Sequence, residues 1–119
     1  MQRMVPGDVQ SPLAQLRRGA VEYCVLALLA DRQRYGFELV SDLRAADGLV
    51  TSEGTVYPLL ARLRRAGLVT TNWRESTSGP PRRYYELTQE GAASLASFRR
   101  DWARFRAAVD HVLGDGEPS

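Results

Sequence analysis

The hydrophobic period of this chain changes at Gly67, and that change constrains the fold more than any other feature. Before Gly67 apolar residues recur every three or four positions, which predicts three helices. After it they alternate with polar residues, which predicts strands at 68–73 and 83–87 joined by a loop over 76–81. A last helical segment follows over 89–113. The predicted order is therefore α–α–α–β–β–α, a mainly α chain with a small β component.

The first two helices are predicted from their caps and their apolar stripes. Pro12 suits the first position of helix one, because that position needs no backbone donor, and Ser11 precedes it as N-cap. The run over 21–30 is apolar nearly all round, so this helix should be buried on more than one side. The second helix is expected over about 35–46. Its predicted inward residues are Phe37, Val40 and Leu43.

The third helix has an apolar stripe on one side and cations on the other. Gly67 ends it, and its start is either Ser52 or Thr55. Pro58 removes an internal donor if the helix starts at Ser52 and is harmless if Thr55 is the cap. The predicted inward residues are Val56, Leu59, Leu60 and Leu63.

Positive charge is concentrated in one segment. Between Gly54 and Tyr85 there are six arginines and one acid, Glu75, so this segment carries 6 − 1 = +5 while the whole chain carries +2. Every basic residue of the chain is Arg, which forms forked contacts to phosphate and to guanine edges. The codon bias of a GC-rich genome explains the missing lysine, but it does not explain the clustering.

Three helices followed by a basic hairpin are typical of a winged helix-turn-helix, in which the third helix enters the major groove and the hairpin reaches the adjoining backbone. The DNA-binding candidates are the outward residues of the third helix and the basic end of the hairpin. They are Ser52, Gly54, Thr55, Tyr57, Pro58, Arg62, Arg65, Arg82, Arg83 and Tyr84. A winged helix used only for protein–protein contact is the alternative, and the +5 segment argues against it.

The sequence lacks the residues that catalysis and metal binding need. Cys24 and His111 are the single cysteine and histidine, and no Gly-rich phosphate loop or G-x-S-x-G motif occurs. We therefore expect no enzyme, no metal and no cofactor. The longest apolar run, 21–30, is half of the roughly 20 residues that a membrane span needs. No apolar signal segment opens the chain, so we expect a cytoplasmic protein without membrane contact.

The last helix carries apolar residues at spacings of three and four, which is the seam of a helix pair. They are Leu95, Phe98, Trp102, Phe105, Val109 and Val112. The first helix is expected to cover part of this seam, and the remainder predicts a homodimer. The expected organisation is a flexible arm over 1–11, a winged helix-turn-helix over 12–88, a dimerisation helix over 89–113 and a flexible tail over 114–119.

Several stretches resemble the PadR family of transcriptional regulators. SEGTVYPLLARL at 52–63, with AGLV at 66–69, is similar to the family's GTLYPxLxRLxxxGLV signature. VLALL at 25–29, YGFEL at 35–39 and RRYYELT at 82–88 resemble further family stretches in the same order. The resemblance covers about residues 13–105. It implies a DNA-binding regulator, by default a repressor, of the short subgroup in which one C-terminal helix dimerises.

The resemblance also implies a ligand site. In short members that sense drugs, a tryptophan at the position of Trp102 lines a pore at the dimer interface, where two indoles hold a flat aromatic ligand. The effector candidates that follow are Trp102, Phe98, Arg106, Arg17, Val21 and Cys24. Arg106 and Arg17 would favour anions in such a pore. The alternative role of Trp102 is plain dimer core.

Overall fold

The computed structural model describes residues 12–46, 49 and 53–114. The helices are α1 (Pro12–Asp31), α2 (Gly36–Ala45), α3 (Glu53–Arg65) and α4 (Gln89–Leu113). The strands are β1 (Arg34–Tyr35), β2 (Val69–Ser76) and β3 (Gly79–Leu87). The predicted winged helix-turn-helix order is confirmed, with one strand more than expected. Within the described ranges, none of the helices is both long and apolar enough to cross a bilayer.

The additional strand, β1, makes the sheet three-stranded. Arg34 pairs with Tyr85 and Tyr35 with Tyr84, both antiparallel, so the strand order is β1-β3-β2. The sequence predicted a polar break here followed by a helix from about Tyr35; the helix is confirmed with Tyr35 as its N-cap, whereas the strand was missed. A strand of two residues is too short to show alternation, so its pairing is decided by the neighbouring strand.

The hairpin is longer and its loop shorter than predicted. Gly79, Pro80 and Pro81 belong to β3, and only Thr77 and Ser78 lie between the strands. Proline cannot donate to a sheet ladder, which is why the sequence indicated a loop. At this end β3 is paired with β2 alone, since β1 pairs only at Tyr84 and Tyr85. Neither Pro80 nor Pro81 is among the residues paired with β2, and the register shifts between Arg74 and Ser76 opposite them, so the missing donors fall where the ladder is already irregular.

The core joins the three first helices to the base of the hairpin and the start of α4. The four inward residues predicted for α3 are all buried, as are Val40 and Leu43 of α2. Phe37 was predicted to point inward and is 60% exposed. The buried face of α2 is formed by Gly36, Leu39, Val40 and Leu43. Phe37 lies about 100° from Gly36 around the helix and cannot share that face.

The junction between α3 and α4 is held by a short hydrogen-bonded clamp. Gly67 has a φ of +80°, which ends α3 in the left-handed conformation. The Thr88 hydroxyl donates to the Gly67 carbonyl at 2.7 Å, and the Thr88 amide donates to the Leu68 carbonyl at 3.1 Å. The same hydroxyl accepts from the Gly91 amide at 2.9 Å as the N-cap of α4. This clamp fixes where α4 leaves the domain.

Candidate nucleic-acid interface

The outward face of α3 carries most of the side chains that the sequence assigned to DNA. Val56 and Leu60 are fully buried, so the opposite surface of the helix must face outward. The predicted residues that lie on this exposed surface are Gly54, Thr55, Tyr57, Pro58, Arg62 and Arg65. Ser52 lies outside the described residues. The helix starts at Glu53, so Pro58 sits inside it rather than in its first turn.

Tyr57 is oriented by the start of α2. A Cβ at Gly36 would lie 2.7 Å from Tyr57 Cε1, so the ring rests directly on the bare glycine backbone. The side chain is still 42% exposed. Burial, followed by the charge of Glu53 and the neighbouring Tyr85, raises the pKa of the Tyr57 phenol. Tyr57 is therefore a neutral hydrogen-bond donor with one ring face fixed and one edge open.

Arg62 differs from the other cations of α3 because it has a partner on α1. Its Nη1 donates to Glu22 Oε1 at 2.9 Å. The Glu22 side chain is 20% exposed and that of Arg62 is 55% exposed. Among the described residues, Arg65 forms no ion pair. This pairing could not be predicted from the sequence, because the two residues are 40 positions apart.

One face of the hairpin carries arginines stacked on tyrosines. The Arg74 guanidinium carbon lies 4.5 Å from the centre of the Tyr84 ring, and that of Arg82 lies 4.4 Å from the centre of Tyr35. The two rings meet edge to face at 5.5 Å. Arg74 also donates to Gln33 Oε1 at 3.4 Å. We call Arg74, Arg82, Tyr84 and Tyr35 the stacked face; each cation on it is held in place by an aromatic ring.

Arg83 lies on the other face of the hairpin. It is paired across the strands with Trp73, and its guanidinium carbon lies 5.3 Å from the centre of that ring. The sequence grouped Arg82, Arg83 and Tyr84 as one basic and aromatic set, but all three belong to β3, where side chains alternate, so Arg83 lies on the face opposite to Arg82 and Tyr84. Arg74 and Tyr35 were missed. Their position on the stacked face depends on the register between the strands, and neither segment contains a local pattern that indicates this register.

A buried arginine anchors the strand that carries Tyr35. Arg34 is only 7% exposed, and its Nη2 lies 3.0 Å from Asp31 Oδ2. Its Nη1 lies 3.5 Å from Asp42 Oδ2. The Tyr35 amide donates to Glu38 Oε1 at 3.1 Å, which ties the end of β1 to the first turn of α2. These contacts fix β1 between α1 and α2, and with it the ring under Arg82.

The predicted seam of α4 divides into two parts. Leu95 is 4% exposed within the intrachain core, and Phe98 stacks on Tyr23 of α1 with ring centres 4.0 Å apart. The later part of the helix has a continuous exposed apolar face. Its members are Trp102, Phe105, Val109, Val112 and Leu113. Leu95 is therefore used inside the chain, whereas the seam from Trp102 onward is left exposed among the described residues.

A pocket of about 390 Å³ lies where α1 crosses α4. It is lined by Leu16, Gly19, Ala20, Phe98, Asp101, Trp102 and Phe105. Of the effector candidates, Trp102 and Phe98 line it. Val21 belongs to the core, Cys24 packs against the core, and the Arg17 side chain lies outside the described residues.

The charge of this pocket differs from the charge that the sequence suggested for the effector site. Arg106 is not among the lining residues and pairs with Asp110 at 3.8 Å. The charged lining residue in the described part of the chain is Asp101, which also accepts from Arg104 at 3.2 Å. Arg106 follows the lining residue Phe105 directly, but it points about 100° away around the helix and so lies off the face that lines the pocket.

Comparison with known proteins gives a consistent set of relatives. The family model of the PadR-like transcriptional regulators matches residues 25–97. The crystal structure of a PadR-like transcriptional regulator from Bacillus cereus is similar, with 33% sequence identity and a TM-score of 0.78. The alignment covers 87% of this chain and 99% of that chain. For a PadR-like transcription factor from Bacteroides fragilis the identity is 39%, the TM-score 0.70 and the coverage 83% and 95%.

A relative known from its sequence agrees with the solved structures. A transcriptional regulator of Mycobacterium tuberculosis is 32% identical over 108 residues, which are 87% of this chain and 99% of that protein. These relatives are transcriptional regulators and not enzymes. The family model matches more than half of the chain, and the aligned structures share its winged helix. This chain therefore belongs to the PadR-like family of transcriptional regulators.

Proposed function

We propose that this protein is a repressor that binds a pseudo-palindromic operator as a homodimer. The observation that supports this most is the stacked face of the hairpin, where Arg74 and Arg82 each lie over an aromatic ring. A cation that is already ordered loses less side-chain entropy when it meets a phosphate. The stacked face therefore suits the sugar–phosphate backbone beside a groove.

In this proposal the first turns of α3 enter the major groove. Gly54, Thr55 and Pro58 are small and exposed, so the helix can approach base edges closely. Tyr57 offers its phenol hydrogen from a ring held by Gly36. Arg65 supplies a cation further along the helix for a phosphate.

The exposed apolar face of α4 is proposed to pack on a second copy of the chain. Phe105 is 58% exposed and Val112 is 81% exposed, and Leu16 of α1 is also exposed beside the pocket. An apolar face of this length is stabilised by removal from water, and a two-fold axis lets the same face serve both subunits. Residues 12–88 would then form the DNA-binding unit and 89–113 the dimerisation helix.

Selection from a random duplex library tests the DNA proposal. We expect an inverted repeat whose half-sites are centred about 34 Å apart, or one helical turn. A selected duplex placed downstream of a promoter should lower transcription in vitro when the protein is added. Failure to enrich any sequence would favour a winged helix that contacts only proteins.

The hairpin is tested on the selected duplex by fluorescence anisotropy at several salt concentrations. Arg82→Ala and Arg83→Ala each remove a cation from one face of the hairpin. Each should weaken binding and reduce the salt slope by about one. Arg104→Ala, an exposed cation of α4, is the matched control and should leave the slope unchanged. An unchanged slope for either hairpin variant would mean that its face does not meet DNA.

Sedimentation tests the dimer. Phe105→Glu places a charge on the exposed apolar face of α4, at a cost of several kcal/mol if that face is buried in a dimer. We expect a wild-type dimer at micromolar concentration and a folded monomer for Phe105→Glu that no longer binds the inverted repeat. A wild-type monomer at that concentration would contradict the proposal.

We further propose that a planar aromatic effector releases the operator by binding beside Trp102. Phe98 and Trp102 are nearly parallel, 16° apart in plane, with ring centres 5.9 Å apart, and both line the pocket. Asp101 at the rim favours a cation over an anion. A ligand that changes how the two α4 helices meet would alter the spacing of the two α3 helices. It would change DNA affinity to the extent that it binds one spacing more tightly than the other.

Tryptophan fluorescence tests the effector. Proflavine, a planar cation, and pyrenesulfonate, a planar anion, are titrated into wild type, Trp102→Phe and Trp73→Phe. We expect proflavine to quench wild type and Trp73→Phe and to lose affinity for Trp102→Phe. Unchanged affinity for Trp102→Phe would place the site elsewhere, and failure of both probes to bind would leave Trp102 as dimer core.

A further inference from the structure

The ion pair between Glu22 and Arg62 joins α1 to the last turn of α3. The Arg62 Nη1 atom lies 2.9 Å from Glu22 Oε1, within ideal hydrogen-bond distance. Glu22 is four-fifths buried, between Val21 of the core and Tyr23, whose ring stacks on Phe98 of α4. The carboxylate therefore sits on a part of α1 that is itself fixed against α4.

A carboxylate so placed is costly without a partner. Removing most of its hydration penalises the charged form unless a cation or donors replace the water. Arg62 supplies that cation from α3, while its side chain remains 55% exposed. Pulling Arg62 away to a phosphate would leave Glu22 uncompensated, so the contact with DNA would have to exceed the loss of the pair.

The position of Arg62 along α3 also sets it apart from the residues of the first turns. It lies seven residues beyond Thr55, about 10 Å further along the helix axis. In helix-turn-helix proteins the N-terminal residues of the recognition helix reach the base edges. Arg62 is at the other end, where its side chain reaches Glu22 of α1.

We propose that Arg62 is a positioning residue: paired with Glu22, it fixes the rotation of α3 on α1 and so aims the first turns of α3 into the groove. This inference rests on the proposed binding of DNA by α3. It revises the expectation that Arg62 itself contacts the operator. Arg62 then raises DNA affinity by its ion pair with Glu22 and not by contact with a phosphate.

The test is a pair of charge-neutralising variants on the selected duplex, measured by anisotropy between 50 and 200 mM salt. Arg62→Met and Glu22→Gln should each weaken binding by about tenfold, a difference of about 1.4 kcal/mol. The double variant should be no weaker than either single variant, because both remove the same contact. The salt slope should remain that of wild type in all three.

The opposite assignment predicts results of opposite sign. If Arg62 contacts a phosphate, Arg62→Met reduces the salt slope by about one. Glu22→Gln would then tighten binding, because it frees the arginine and removes a negative charge near DNA. Arg65→Met is the matched variant on the same helix; it is expected to reduce the slope by about one and shows that the assay detects a lost phosphate contact.

Charge reversal separates positioning from a simple loss of stability. The exchanged pair, Glu22→Arg with Arg62→Glu, should recover most of the affinity that Arg62→Glu alone loses, with all variants folded by circular dichroism at the assay temperature. No recovery together with a reduced slope for Arg62→Met would overturn the proposal. If wild type binds no duplex, the proposed function fails instead, and a thermal-unfolding cycle still measures whether the two residues are coupled.

Discussion

Replacing Gly91 with alanine should destabilise the protein, although alanine is the better helix former. Gly91 is in the first turn of α4, and a Cβ there would overlap the Leu68 carbonyl oxygen and lie 2.6 Å from Leu87 Cδ1. The oxygen is backbone, so it cannot swing aside as a side chain could. Either α4 or the turn after α3 must move, and both are held by the clamp through Thr88.

The magnitude follows from three terms. Inserting a methyl group into a filled space costs about 1–3 kcal/mol. Displacing the Thr88 cap costs about 1 kcal/mol more. Alanine regains up to about 1 kcal/mol of helix propensity. The net loss is about 1–3 kcal/mol of unfolding free energy, which for a domain of this size lowers Tm by about 5–15 °C.

Calorimetry at one fixed protein concentration measures this, since association would shift Tm by mass action. Ala93→Gly, an exposed site in the same helix, is the control and should lose about 1 kcal/mol through propensity alone. The reasoning is refuted if Gly91→Ala is as stable as wild type or more stable, because the methyl group would then have found room that the structure denies it.

Three more substitutions or reactions test other parts of the fold. Arg34→Met should lower the unfolding free energy, measured by urea titration, by about 2–3 kcal/mol, because a buried oxygen of Asp42 then loses its cation. The control is Arg104→Met at an exposed site, which should change the unfolding free energy by less than about 0.5 kcal/mol. Gly67→Ala should cost about 1 kcal/mol in the same titration, since its φ is +80°, and Gly67→Asn should cost less; equal losses would argue against a left-handed turn. Burial raises the pKa of the Cys24 thiol, so iodoacetamide at pH 8 should react more slowly with the native protein than with the protein in urea, and equal rates would contradict that burial.

The elements that depend on local pattern could be predicted from the sequence. The apolar stripe of α3, the glycine that ends it and the length of α4 are local features, and all three were confirmed. Periodicity reports which face of a long helix is buried, because one face must leave water whatever it packs against. It failed for Phe37, where a ten-residue helix offers too few repeats to fix the face.

Contacts between distant segments were decided only by the tertiary structure. The two-residue strand β1 exists because β3 provides its hydrogen-bonding partners, and the separation of Arg82 from Arg83 follows from strand register. The partner of Arg62 is 40 residues away, and the pocket that Asp101 lines forms only where α1 and α4 come together. Residue type and spacing determine what a side chain can do, whereas its neighbours across the fold determine which charge it meets, because electrostatic and packing energies depend on distances that the local sequence does not contain.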